Sequence, residues 1–171
     1  MTKNSPNKKL TRAVNWPISL AILLCFFILS TAHGYAQRMN KDHKQWLKTQ
    51  FSKQHQKLIP IVAVADMYFA CNGVRKVDAI SPPLQDLVLN QTKKQLASKL
   101  MRCLGDDEIK SDQALNFGLL GCFHQQLSGL AEEENKIKMA LVNKAILSLS
   151  REERHQSFTR CVNAQAINYL K

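Results

Sequence analysis

Few residues in this chain combine a reactive type with a suggestive spacing, and Asp66 is the most unusual of them. It is the one acid in Ile61–Cys71, an otherwise almost wholly apolar stretch. A carboxylate in that setting either moves a proton, anchors a ligand, or sits at a helix edge beside a basic side chain, because a bare buried charge is too costly. Glu152 and His155 form an E-x-x-H spacing, which on a helix places carboxylate and imidazole on one face, as in di-iron bundles. Such a centre needs a second E-x-x-H and two further inward glutamates, and the chain has no second copy. Ser150-Arg-Glu-Glu153 reads more simply as a capping box that opens a helix. Cys122 and His124 suggest a nucleophile and its base, but residues two apart on a helix point to different sides. His124 falls opposite the apolar stripe and reads as a surface residue. The chain has no G-x-S-x-G, H-E-x-x-H, Gly-rich phosphate loop or EF-hand pattern. Asn90-Gln91-Thr92 matches a glycosylation sequon but falls inside a predicted helix. No catalytic residue, metal site or cofactor is expected.

The cysteines point to structure. The chain has 5, and Cys25 lies in a segment expected to be removed, which leaves Cys71, Cys103, Cys122 and Cys161. An even count in an exported protein predicts two disulfides. There is no C-x-x-C pair, haem motif or Cys/His spacing of a metal site. Each cysteine follows an apolar residue three positions earlier (Tyr68, Leu100, Leu119, Phe158), which turns the sulfur toward a helical core. Cys122 and Cys161 stand at similar depths in two helices separated by one intervening helix. Those two helices should run parallel, so Cys122–Cys161 is the predicted pair. Cys71–Cys103 follows by elimination, although a tight antiparallel hairpin would put Cys71 near Leu84 instead.

A different kind of chemistry is concentrated between residues 38 and 57. Arg38, Lys41, Lys44, Lys48, Lys53 and Lys57 stand there with Asp42 as the only acid. Leu47, Phe51 and Leu58 fall on a narrow helical stripe, and Trp46 sits about 100° away from it. If this segment simply packs on the domain, Leu47, Phe51 and Leu58 are core and the lysines are solvated. If it is a contact element, Lys44, Lys48, Lys53 and Lys57 attract an anionic partner and Trp46 supplies an anchor. These five residues are the candidate partner-binding site.

The elements that must carry these groups are all helical by periodicity. The expected segments are 42–58, then Pro60 as a kink or new start, and a buried helix over 61–71 stopped by Asn72-Gly73. That apolar stretch is too short to span a bilayer. A stiff connection over 72–83 leads to a helix over 84–104 carrying Leu89, Leu96, Leu100 and Cys103 on one side. Ser111 caps a fourth helix with the stripe Leu115, Leu119, Cys122, Phe123, Gln126 and Leu130. Gly118 and Gly121 lie on another side, open to close approach by a neighbour. A helix over 132–148 puts Ile137, Ala140, Leu141 and Leu147 together. The last helix opens at Ser150 with Phe158, Cys161, Val162, Gln165 and Tyr169 on its stripe. The expected fold is all-α: a single small bundle of about five or six helices, braced by two disulfides.

The N-terminus sets the expected compartment. Lys3, Lys8, Lys9 and Arg12 precede an apolar run over 18–29 and the small-residue segment Ser30–Ala36, the order of a secretory signal peptide. Cleavage is expected after Ala36, with Ala32 as the alternative, and a retained anchor is disfavoured because the run is short. Of 171 residues, 135 then remain as one domain (171 less 36), with no membrane span. Its 20 basic residues (24 less 4) against 13 acidic give +7, of which +5 (6 basic less 1 acidic) comes from the N-terminal segment. Export to the periplasm or beyond excludes nucleic acid and leaves an envelope protein or an anionic envelope component as partner. The leading expectation is a small non-enzymatic envelope protein that works by binding. The alternatives are an enzyme built around Asp66 or His155 and a purely structural or assembly accessory. The cysteine spacing matches neither saposin-like, lipid-transfer nor secreted phospholipase patterns.

Overall fold

A computed structural model describes the backbone of residues 16–171 and the side chains of residues 41–171. The basic start at Lys3–Arg12 lies outside the described residues, as do the side chains of the apolar run and of both expected cleavage positions. Six helices follow in order: α1 Trp16–Arg75, α2 Leu84–Asn90, α3 Lys93–Leu104, α4 Asp112–Leu127, α5 Glu132–Ser148 and α6 Arg151–Asn168. There is no strand among the described residues, so the fold is all-α as expected. The chain divides into two compact units, residues 1–48 and residues 49–171.

In the second unit Pro60 neither ends α1 nor starts a new helix. An internal proline costs about 3 kcal/mol, and the burial of Val62, Ala65, Tyr68 and Cys71 just beyond it offsets that cost. The stop expected at Asn72-Gly73 is displaced to Lys76, which takes the left-handed conformation (φ 55°). The Lys76 amide closes the last turn on the Asn72 carbonyl at 2.9 Å. Residues 41–75 of α1 contain a window long and apolar enough to cross a membrane by length and composition alone. A third of that window is buried (33%), and α1 contributes Val62, Ala65, Tyr68 and Cys71 to the core.

The helix expected over 84–104 is two helices. Gln91 is extended, and Thr92 opens α3 with a capping box: Thr92 accepts from the Gln95 amide while the Gln95 side chain accepts from the Thr92 amide. The sequon Asn90-Gln91-Thr92 therefore lies at a junction, not within a helix. The break also rotates the two faces apart, so Leu87 and Val88 are buried while Leu89 is exposed. Ser111 and Ser150 cap α4 and α6 as expected, the latter with Glu153 completing the box.

α4 is the central element. A Cβ on Gly121 would lie 2.2 Å from the Asp66 carbonyl oxygen, so α4 rests directly on the α1 backbone there. A Cβ on Gly118 would lie 2.6 Å from the Phe158 ring, the corresponding contact with α6. Contacts rise together along α4 and α6, with Arg154 on Asn116 at 2.6 Å near one end and Cys161 bonded to Cys122 further along. The two helices are parallel. α1 and α3 are parallel too: Lys99 stands over the Tyr68 ring, Cys103 is bonded to Cys71, and Arg75 donates to the Leu104 carbonyl. The disulfides are Cys71–Cys103 and Cys122–Cys161, each with Cα atoms 6.2 Å apart.

Candidate functional site

Lys44, Trp46 and Lys48 belong to the first unit, and Lys53 and Lys57 to the second. All five are exposed, Trp46 at 55%. His43 stacks on Trp46 with ring centroids 6.0 Å apart. None of the four lysines joins an ion pair among the described residues. The apolar stripe divides. Leu58 is half-buried against the core, but Leu47 is 48% exposed and Phe51 45%. Phe51 stacks on His55 at 6.3 Å, and His55 Nε2 lies 3.2 Å from the Asn163 carbonyl of α6. Within the second unit, Phe51 is thus at the surface and Leu58 is the stripe residue that reaches the core.

Asp66 is at the other extreme, wholly buried where α1, α4 and α6 meet. Burial pushes its carboxyl well above the usual range, and a hydrogen bond with Gln165 acts in the opposite sense. One atom of the Gln165 amide lies 2.9 Å from Oδ2 and 3.3 Å from Oδ1. Two arrangements satisfy this contact. If Asp66 is ionised, Gln165 turns its nitrogen to the carboxylate. If Asp66 is neutral, its O–H donates to the amide oxygen, and the Gln165 nitrogen donates to the Cys122 carbonyl at 3.4 Å. The raised pKa favours the neutral acid, which leaves both amide atoms of Gln165 partnered. The Tyr169 hydroxyl is buried without a partner, and burial, then the Asp66 charge, pushes it up to about 12. Asp66 lines neither the two grooves along α4–α6 nor the cleft at Gly105–Lys110. Asp66 itself is sealed from solvent, and its contact with Gln165 suits holding three helices together.

The other sequence candidates separate. Glu152 and His155 are both exposed, with Glu152 accepting from Gln156 and the His155 carbonyl accepting from Thr159. Cys122 is held in a disulfide, which removes the thiol a nucleophile needs. His124 is exposed, tilted against the Phe69 ring at 4.9 Å. No group of three His, Cys, Asp or Glu side chains among the described residues is arranged to hold a metal ion.

Sequence reasoning missed the densest polar cluster, which is centred on Asp78. The Tyr68 hydroxyl donates to Asp78 Oδ2 at 2.5 Å, and Lys99 and Arg102 each approach the carboxylate at 3.3 Å. Asn72 clamps the same residue from both sides, accepting from the Asp78 amide at 2.7 Å and donating to its carbonyl at 3.1 Å. The Tyr68 hydrogen bond, ahead of the basic neighbours, holds Asp78 below its ordinary range, while burial and Asp78 push Tyr68 up to about 12. Beside it, Arg75 caps α3 by donating to the Cys103 and Leu104 carbonyls at 2.9 and 2.5 Å, and also reaches Asp107 at 2.6 Å. This lock fixes the returning connection and the Cys71–Cys103 pair. Its signal in the sequence was one acid in the long connection and two bases three apart on α3.

No protein-family model matches the chain, and no curated protein or solved structure is significantly similar to it.

Proposed function

We propose that this is an exported, non-enzymatic envelope protein that acts by binding, with its basic segment over 41–58 as the contact element. The observation that carries this reading is the exposure of Trp46, Leu47 and Phe51 among lysines that have no ion-pair partner among the described residues. Aromatic and aliphatic side chains left in water beside uncompensated positive charge suit an anionic surface: charge gives attraction, and Trp46 gives an interfacial anchor. Two disulfides fit an oxidising compartment, consistent with a signal peptide over residues 1–36. The remaining 37–171 then lies in the periplasm or outside the cell. The alternative of an enzyme draws no support from Asp66, which is sealed, or from His155, which stands on the surface.

Each lysine near an anionic membrane is worth about 1 kcal/mol, so four supply about 4 kcal/mol at low salt. Sedimentation with anionic and neutral vesicles tests this. Binding should be confined to anionic vesicles, weaken as salt rises, and fall at least a hundredfold when Lys44, Lys48, Lys53 and Lys57 are changed to glutamine. Binding indifferent to salt and to the lysines would refute the electrostatic contact. No binding to vesicles or to acidic envelope proteins would leave the structural-accessory reading in its place.

A further inference from the structure

We infer that the groove along α4, α5 and α6 is a binding site for a single-chain amphiphile with an anionic head. The site is independent of the basic N-terminal segment. α5 packs on the rest of the unit with Ile146 as its one buried residue, and Val142 is only partly covered. That thin contact leaves a groove of about 290 Å³ walled by Leu119, Phe123, Leu141, Val142, Ile146 and Leu149, with Ala145 at its side. Ser157 is its one polar lining residue. The walls are aliphatic apart from Phe123, and a flexible alkyl chain matches such a surface because it demands no hydrogen bonds.

The groove continues beyond its apolar walls. Phe123, Leu149 and Ser157 also line an adjoining cleft of about 500 Å³, whose other walls include Gln126, Glu153, Gln156 and Arg160. The two charges in that cleft are not equivalent. Glu153 is committed to the start of α6, accepting from the Ser150 amide at 2.8 Å and from its hydroxyl at 2.7 Å. Arg160 has no hydrogen-bond or ion-pair partner among the described residues. The cleft therefore offers one unpaired guanidinium beside the Ser157 hydroxyl, while the amide nitrogens of Gln126 and Gln156 already donate to Cys161 Sγ and to Glu152. A guanidinium and a hydroxyl together recognise a carboxylate or phosphate. An apolar trough continuous with a polar cleft that holds an unpaired guanidinium is complementary to an acyl chain joined to an anion, with the Glu153 charge held at the start of α6.

The test is calorimetric titration of the full mature protein with dodecanoate, below its micellar concentration. The comparison ligands are dodecyltrimethylammonium and lauroyl lysophosphatidylglycerol. Dodecanoate or the lysophospholipid should bind one per chain, and their ranking distinguishes a free carboxylate from a phosphodiester head. The cationic ligand should bind at least tenfold more weakly. Arg160→Gln should weaken anion binding about tenfold without altering the far-ultraviolet spectrum. Ala145→Trp should block the trough and abolish binding of both anionic ligands, while glutamine at Lys44, Lys48, Lys53 and Lys57 should change neither. Absence of saturable binding, or binding that ignores both Arg160→Gln and Ala145→Trp, overturns the proposal. Loss of binding only in the lysine variant would assign the anion to the N-terminal segment and overturn it equally.

Discussion

Gly121→Ala should destabilise this protein, although alanine is the better helix former. The glycine lies within α4, where alanine would gain about 1 kcal/mol of helix propensity. Against that gain stands the backbone of α1. An alanine Cβ would lie 2.2 Å from the Asp66 carbonyl oxygen, 2.7 Å from its carbon and 2.8 Å from its Cα. No rotamer relieves a clash with main chain. Restoring ordinary contact at 3.4 Å from 2.2 Å requires the two helices to part by about 1.2 Å. That opening would disturb Gln165, which sits between Asp66 and the Cys122 carbonyl, and would loosen the packing around Val62 and Ala65. Overpacking of this kind costs about 1–3 kcal/mol, and here it falls on rigid atoms, so a net loss of about 2 kcal/mol is expected. Gly73→Ala is the control. It is also helical, but nothing lies within 4 Å of its Cβ, and near the end of α1 it should gain about 0.5 kcal/mol. Urea unfolding with the disulfides intact measures both, and an unchanged slope confirms that the midpoints report stability. A Gly121→Ala protein as stable as the parent would refute the claim that α4 rests on the Asp66 backbone.

Two further predictions follow from the buried groups. The disulfide loops span 32 and 39 residues, each worth about 4 kcal/mol in the chain-entropy model, so Cys122 and Cys161 changed together to serine should lose about 2–5 kcal/mol in urea unfolding. Stability within 1 kcal/mol of the parent would show that the bridge does not brace the fold. Asp66 makes stability pH-dependent with a definite sign: its folded pKa is raised, so its contribution is fully present below the ordinary aspartate range and is lost as pH rises through the folded value. Asp66→Asn, which keeps a hydrogen-bonding group against Gln165, should remove that loss and be more stable than the parent at the alkaline end of a urea series. A parent that gains stability with rising pH relative to the variant would contradict a buried neutral acid.

The parts legible in the sequence were those governed by local chemistry. Ser111 and Ser150 announce helix starts because a cap needs only its own next three residues. The Cys122–Cys161 pair was legible because counting residues from two caps fixed both depths along parallel helices. The Thr92–Gln95 capping box was equally local, but it lay inside a continuous helical pattern that masked it. Asn72-Gly73 misled because breaker residues state a cost, not the contacts that offset it, and of the two expectations for Pro60 the new start is excluded because α1 runs through it. Asp78 was invisible because its partners come from α1 and α3, and only the fold brings them together. Of the proposed contact segment, the sequence supplied the charges and the aromatic, while the exposure of Phe51 depended on what the rest of the second unit leaves uncovered.

α5 shows most clearly why a correct helix can be given the wrong face. The sequence groups Ile137, Ala140, Leu141 and Leu147, yet Ile137 is 58% exposed, Leu141 62% and Leu147 80%. The residues turned inward are Val142 and Ile146. Both assignments fit the apolar pattern, because α5 carries apolar residues on more than one side. The choice is made by topology. Each disulfide joins two parallel helices, and parallel neighbours require something to carry the chain back between them. Residues 76–92, with α2, do this between α1 and α3, and α5 does it between α4 and α6. A return element need only reach from one end to the other, and α5 manages it with a single fully buried side chain. The apolar side chains it does not spend on the core remain at the surface, and those on its α4 side, Leu141 and Ala145, complete the wall of the groove. The same connectivity that makes α5 marginal to stability thus makes it the element most able to line a binding site.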